Sequence, residues 1–193
     1  MQVSRLRFLG FKYRVMAWLV LGRTAAAMRL LERMRAEFPG DPYVLASISH
    51  LQAQAGQRED AVRTLDELLQ AHPGEGFHWF NHGFVLEELG DYDRAEASFR
   101  RATELAPKLD RAWYGLGLVL IRQGRSDEAI NALKRNTQLQ PMSPFGWYQL
   151  ARVHAQREEQ EEARKIIRHL QRFEPKVAAQ LVRETGLLVE SPG

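Results

Sequence analysis

The chain of 193 residues contains no cysteine. That excludes a disulfide framework, a thiolate metal site and a cysteine nucleophile, and it fits a cytoplasmic setting. Long apolar runs are also missing. Near the start the longest is Val15 to Gly22, about eight residues against the ~20 that span a bilayer. There is no Walker glycine loop, no GxGxxG and no GxSxG elbow. No nucleophile, base and orienting group come together at helical spacing, so neither catalysis nor a cofactor is expected. Charge of one sign is scarce overall, with a formal net charge of +3. It is unevenly placed, however. Residues 1–40 hold eight Lys/Arg against two Glu, while the remainder holds 19 basic and 22 acidic side chains. A basic end suits an anionic membrane, a nucleic acid or an acidic partner, and equally a merely solvated face.

What the chain does contain is a period. Prolines stand 34 residues apart at Pro39, Pro73, Pro107, Pro141 and Pro175. Alanines keep the step at Ala27, Ala61, Ala95, Ala129 and Ala163, glycines at Gly22, Gly56, Gly90 and Gly124, and tryptophans at Trp79, Trp113 and Trp147. Such a repeat implies an array in which each unit buries its face by stacking on the next. The units start at residues 8, 42, 76, 110 and 144. Positions 4, 7, 8 and 11 are helix-spaced and share one face of a first helix. Positions 20, 24 and 27 do the same on a second helix, with alanine at the closest crossing. Glycine at position 15 ends the first helix, because it takes positive φ cheaply. Thr24, Asp91 and Ser126 stand where N-caps are wanted. Proline at position 32 stops the second helix.

Arg5, Arg7, Lys12 and Arg14 ahead of Val15–Leu21 have the order of a signal peptide. The apolar stretch is short, Arg23 follows closely, and Gly22, Ala27 and Pro39 lie in the repeat register. The segment is therefore read as structural, a basic and apolar first helix from Arg5 to Leu21. Its open end invites self-association through Phe8, Phe11, Trp18 and Leu19, or contact with a membrane surface. Residues 176–185 read as a capping helix stopped by Gly186, and residues 187–193 as a frayed tail.

The pattern Trp79-x2-His82-Gly83-x2-Leu86 with Ala95, Phe99, Ala102 and Pro107 resembles the tetratricopeptide repeat family. Trp113-x2-Leu116-Gly117-x2-Leu120 with Ala129 and Pro141 follows it nearly as well. The fifth unit keeps Trp147, Leu150, Ala151, Ala163 and Pro175. The second lacks the aromatic at position 4, and the first, with Arg14 and Val15 at positions 7 and 8, is degenerate. The resemblance covers about residues 8–177. It implies an all-α, right-handed superhelix of five units, 1–41, 42–75, 76–109, 110–143 and 144–175, plus a cap over 176–193.

The resemblance also implies that the first helix of each unit lines a concave wall, at positions 2, 5, 6, 9, 12 and 13. The residues there are Tyr43, Ser47, His50 and Gln54, then Phe77, Phe80, Asn81, Phe84 and Glu88. Arg111, Tyr114, Leu118 and Arg122 follow, and then Phe145, Tyr148, Gln149, Arg152 and Gln156. Aromatic side chains at positions that need not be apolar suit an extended or helical segment of a protein partner, with the arginines gripping carboxylates or carbonyls. The competing reading is that these rings pack on neighbouring units or under the N-terminal segment. A carboxylate clamp for chaperone tails is not expected, since Lys12 at position 5 is followed by Met16, not Asn, at position 9. His78 and His82 are spaced for a metal but have no third ligand, so a packed histidine is expected. The Glu158–Glu162 run reads as a solvated turn at a helix start. The reading is a non-catalytic interaction module, adaptor or scaffold. Its alternatives are membrane or nucleic-acid association through the basic first unit, or a regulatory subunit of a separate enzyme.

Overall fold

The structure, a computed structural model, describes residues 2–189. Among them eleven α-helices and no strand occur. They are α1 (Gln2–Val20), α2 (Thr24–Glu37), α3 (Pro42–Gln54), α4 (Arg58–Ala71), α5 (Gly76–Leu89), α6 (Tyr92–Leu105), α7 (Asp110–Arg122), α8 (Ser126–Leu139), α9 (Pro144–Gln156), α10 (Gln160–Gln171) and α11 (Pro175–Thr185). The chain divides after Asp91 into two compact units. Within the first, α1 to α5 pack on one another in chain order. Within the second, α6 to α11 do the same, and α11 also reaches α9.

Two turn types alternate. The turn after each first helix is a Schellman closure, in which the residue beyond the left-handed one donates its N–H five residues back. Arg23 N–H reaches Trp18 O, Gln57 reaches Gln52, Asp91 reaches Leu86, Arg125 reaches Leu120 and Glu159 reaches His154, all at 2.8–3.0 Å. The left-handed residue is Gly22, Gly56, Gly90 or Gly124 in the first four and Glu158, with φ 61°, in the fifth. In the turn after each second helix no left-handed glycine directly follows the helix. There the residue before proline is pushed out of the helical region, with φ/ψ of −130/68 at Phe38, −134/65 at His72 and −131/66 at Gln140.

The core follows the period. Ala27, Ala61, Ala95, Ala129 and Ala163 are all 0% exposed, and Leu31, Leu65, Phe99, Leu133 and Ile167 are at most 1% exposed. In the first unit of the fold Val15, Ala27, Leu31, Met34, Val44 and Ile48 form one cluster, covered by Phe8, Phe11 and Trp18. Three expectations need correction. Thr24 and Ser126 are the first helical residues and not caps, which are Arg23 and Arg125 with no side-chain bond. Asp41, ahead of α3, accepts a capping bond from the Val44 N–H at 3.1 Å. Phe8, Phe11 and Trp18 are half-buried against the core of the first unit, whereas Leu19, the fourth residue of that expected surface, is exposed. Leu187 is 8% exposed within the core cluster of the last repeats and Val189 packs against that cluster, so these two side chains of the tail are seated while Leu188 is exposed. Residues 190–193 of the expected frayed tail lie outside the described residues.

Candidate partner-binding surfaces

The period-34 tryptophans orient the first helices of their repeats. Trp79 Nε1 donates to the Pro73 carbonyl at 2.9 Å, Trp113 to Pro107 at 3.0 Å and Trp147 to Pro141 at 2.9 Å. Each bond ties a first helix to the turn before it. With the indole edge so held, positions 2, 5 and 9 of that helix project from another side. The proline and tryptophan registers are thus two halves of one contact.

In the first unit, α5 carries Phe77, Phe80 and Phe84 at helical spacing. Their rings form a tilted ladder, with centroids 6.0 and 6.4 Å apart. Phe77 and Phe84 are each 47% exposed, well above what a packing role requires. Beside Phe84 a groove of about 230 Å³ opens between α3 and α5, lined by Ser49, His50, Gln54, Asn81 and Glu88. It therefore offers an aromatic edge and both donors and acceptors. Glu88 also receives Arg58 Nε at 3.3 Å, which fixes its carboxylate at the groove end. Tyr43 has a different role. Phe8 meets it edge-on at 6.1 Å, and Lys12 Nζ stands 4.6 Å over its ring. Burial pushes its phenol above the ordinary value, partly opposed by a hydrogen bond to Ser47. Of the aromatic wall residues, Tyr43 is the one engaged by the N-terminal helix.

In the second unit, α7 supplies Arg111, Tyr114, Leu118 and Arg122, and α9 supplies Phe145, Tyr148, Gln149 and Arg152. Tyr114 and Tyr148 are half-buried against the core cluster of the last repeats. Phe145 is 67% exposed and borders a cavity of about 230 Å³ with Pro144, Tyr148, Val177 and Gln180. Arg111 and Arg122 are exposed, and Leu118 and Gln149 are half-buried.

Helix α11 enters this second surface. Tyr148 Oη donates to Glu184 at 2.7 Å, and Gln180 Nε2 donates to the other Glu184 oxygen at 2.7 Å. The bonds from Gln180 and Tyr148 hold the Glu184 carboxyl below its usual range, and the Glu184 bond holds the phenol above its own. The Arg152 guanidinium lies 5.6 Å from the Tyr148 ring centroid. Arg152, Gln156, Glu184 and Thr185 border a further cavity of about 450 Å³. Gln180 and Glu184 line these cavities and were not named by the sequence reading. Their only signal was a polar pair four residues apart on a helix taken to be a plain cap.

Of the two histidines of α5, His82 is packed in the interior and His78 is half-buried. His82 is buried, with Nε2 3.1 Å from Asp66 Oδ1, and Trp79 stands edge-on 6.3 Å away. Burial pushes His78 below its ordinary value. No cluster of three metal-type ligands occurs among the described residues.

Tetratricopeptide repeat family models match residues 80–141 and 114–176, and a second such model matches 21–79. The chain belongs to the tetratricopeptide repeat family. None of the curated proteins matches it in sequence. Among solved structures it is similar to MamA 41-end from Desulfovibrio magneticus RS-1, at 22% identity and a TM-score of 0.77, over 94% of this chain and 96% of that one. A tetratricopeptide repeat protein from Parabacteroides merdae is 17% identical with a TM-score of 0.81, over 93% and 73% of the two chains. YrrB, described as a TPR protein with an unusual peptide-binding site, is 17% identical with a TM-score of 0.77 over 90% of each. At these identities the likeness is one of fold. Family membership makes the chain a repeat protein of the kind that serves as an interaction module.

Proposed function

We propose that this chain is a non-catalytic adaptor or scaffold that holds a segment of a protein partner on the first-helix surfaces of its repeats. The observation that carries the reading is the α5 ladder ending in Phe84, beside a groove lined by His50, Gln54, Asn81 and Glu88. Exposed rings next to spaced polar groups are the composition of a peptide site, with the rings as anchors and the amides setting register. Phe145 and Arg152 on α9 form the corresponding surface of the second unit. A peptide-binding site described for YrrB, which shares the fold, is consistent with this use. The proposed setting is the cytoplasm.

The test is calorimetric titration of a partner segment into the chain and its variants. Phe84→Ala and Asn81→Ala each weaken binding by about 1–3 kcal/mol. Both leave the urea midpoint close to that of the parent, since neither side chain is fully buried. Binding of parental strength in both variants, and in Phe145→Ala and Arg152→Ala, would remove these surfaces from consideration.

A further inference from the structure

Helix α1 is apolar on two opposite sides. Phe8, Phe11, Val15 and Trp18 face the core of the first unit. At 3.6 residues per turn, Leu6, Leu9, Tyr13, Met16, Val20 and Leu21 fall within an arc of roughly 140° on the other side. Their exposures are 67, 39, 67, 49, 86 and 66%. Seven of the thirteen large apolar side chains exposed among the described residues lie between Leu6 and Leu21, so this surface is concentrated on one element. The arc contains no charged position. Arg7 and Arg14 border it on one side and Lys12 on the other, and Arg23 follows the helix. No acidic residue occurs in α1.

We propose that this face lies on an anionic lipid surface, with α1 parallel to the plane of the bilayer. An apolar band flanked by cations is the form of an interfacial helix, its band entering the acyl boundary while the cations meet headgroup phosphates. Here the opposite side of α1 is sealed by the repeat core, so the helix need not leave the fold to bind. Charge selects this occupant. A second copy would set the same cations of α1 against one another, with no acid on either helix and the Glu37 carboxylate of α2 already paired with Arg7 at 3.2 Å. The breadth of the band points the same way, because one partner helix covers a narrower seam. No described helix is long and apolar enough to cross a membrane, and the proposal requires none.

Co-sedimentation of the full chain with vesicles tests the proposal. Vesicles of equal phosphatidylglycerol and phosphatidylcholine should bind the chain at least tenfold more strongly than phosphatidylcholine alone, with binding falling as salt rises. Leu9→Ser/Tyr13→Ser should lower binding at least tenfold at an unchanged thermal midpoint. Arg14→Gln/Arg23→Gln should lower it about tenfold and flatten the salt dependence. If the serine pair unfolds, Tyr13→Ser alone is read in its place. No binding to the anionic vesicles, or undiminished binding by the serine variant, overturns the proposal. So does a concentration-dependent dimer in sedimentation equilibrium that the serine pair abolishes, which would assign the face to a second copy. Capture of an acidic protein helix in preference to vesicles would likewise assign it elsewhere.

Discussion

At the residue scale the period explains both its members and its exceptions. Glu158 stands in the glycine register and takes φ 61°, where a side chain costs roughly 1 kcal/mol that glycine avoids. Glu158→Gly should therefore raise unfolding stability by about 1 kcal/mol in urea titration, and a loss of stability would show that the Glu158 side chain is needed there. Asn136 is a second exception, a polar residue at the otherwise apolar position 27. It is 6% exposed and donates Nδ2 to the Asp110 carbonyl at 2.9 Å. Gly146 makes room for it, since a Cβ there would come within 2.1 Å of Asn136 Oδ1. Gly146→Ala should cost about 1–3 kcal/mol by displacing a buried, bonded amide. A neutral result would mean that α9 shifts freely. Asn136 and Gly146 look unrelated in the sequence, because their contact crosses from one unit to the next. The caps misled for a subtler reason. The Schellman closure uses Gly22 and Gly124, and the helix begins one residue sooner than a side-chain cap at Thr24 or Ser126 would require.

At the scale of elements, polar ties recur between residues about one repeat apart, and no sequence pattern announced them. Gln123 reaches Asp93 at 3.1 Å, and Arg157 reaches Asp127 from the same pair of repeat positions. Residue type at these positions varies, which hides the device from a search for repeated letters. The densest tie joins α6 and α8. Glu96, 14% exposed, accepts from Arg125 at 2.7 Å and from Arg100 at 2.8 Å, and both arginines also reach Glu128. Desolvation pushes the Glu96 carboxyl up, but the guanidinium bonds outweigh it and hold the group below its usual range. Glu128 is held down by its bonds to Arg100 and Arg125. Depressed carboxylates add stability that is present above their unfolded value and lost as pH falls through the folded one. His78, whose imidazolium burial disfavours, should weaken the fold as pH falls below about 6.5. The carboxylate contribution to the urea midpoint should be lost below about pH 4, a lower fall that Glu96→Gln should make shallower. An equally steep fall in the variant would show that the tie carries none of the pH dependence.

For the molecule as a whole, the fold was legible because an array repeats its packing. One period fixed the alanine crossings, the glycine closures and the proline stops, and five alanines at 0% exposure bear this out. The surfaces were legible only by analogy with the family. Tyr43 beneath α1 follows the competing reading, in which wall rings pack under the N-terminal segment, whereas nothing in the spacing showed that Glu184 would take the Tyr148 hydroxyl, since that contact depends on a helix beyond the five units. Helix α11 is accordingly more than an end. Leu181, 0% exposed, seals the last repeat together with Ala178 and Leu187. Leu181→Ala should cost about 2–5 kcal/mol, read as a lower urea midpoint. A change under about 0.5 kcal/mol would mark α11 as a surface appendage. The claim that these helices exist to hold a protein partner is tested most directly by affinity capture from the source cell. The parent chain would be run beside Phe84→Ala/Asn81→Ala and Phe145→Ala/Arg152→Ala, with captured proteins identified by mass spectrometry. The account predicts a protein captured in stoichiometric amount by the parent and lost in at least one variant. Retention of every captured protein by both variants would contradict it.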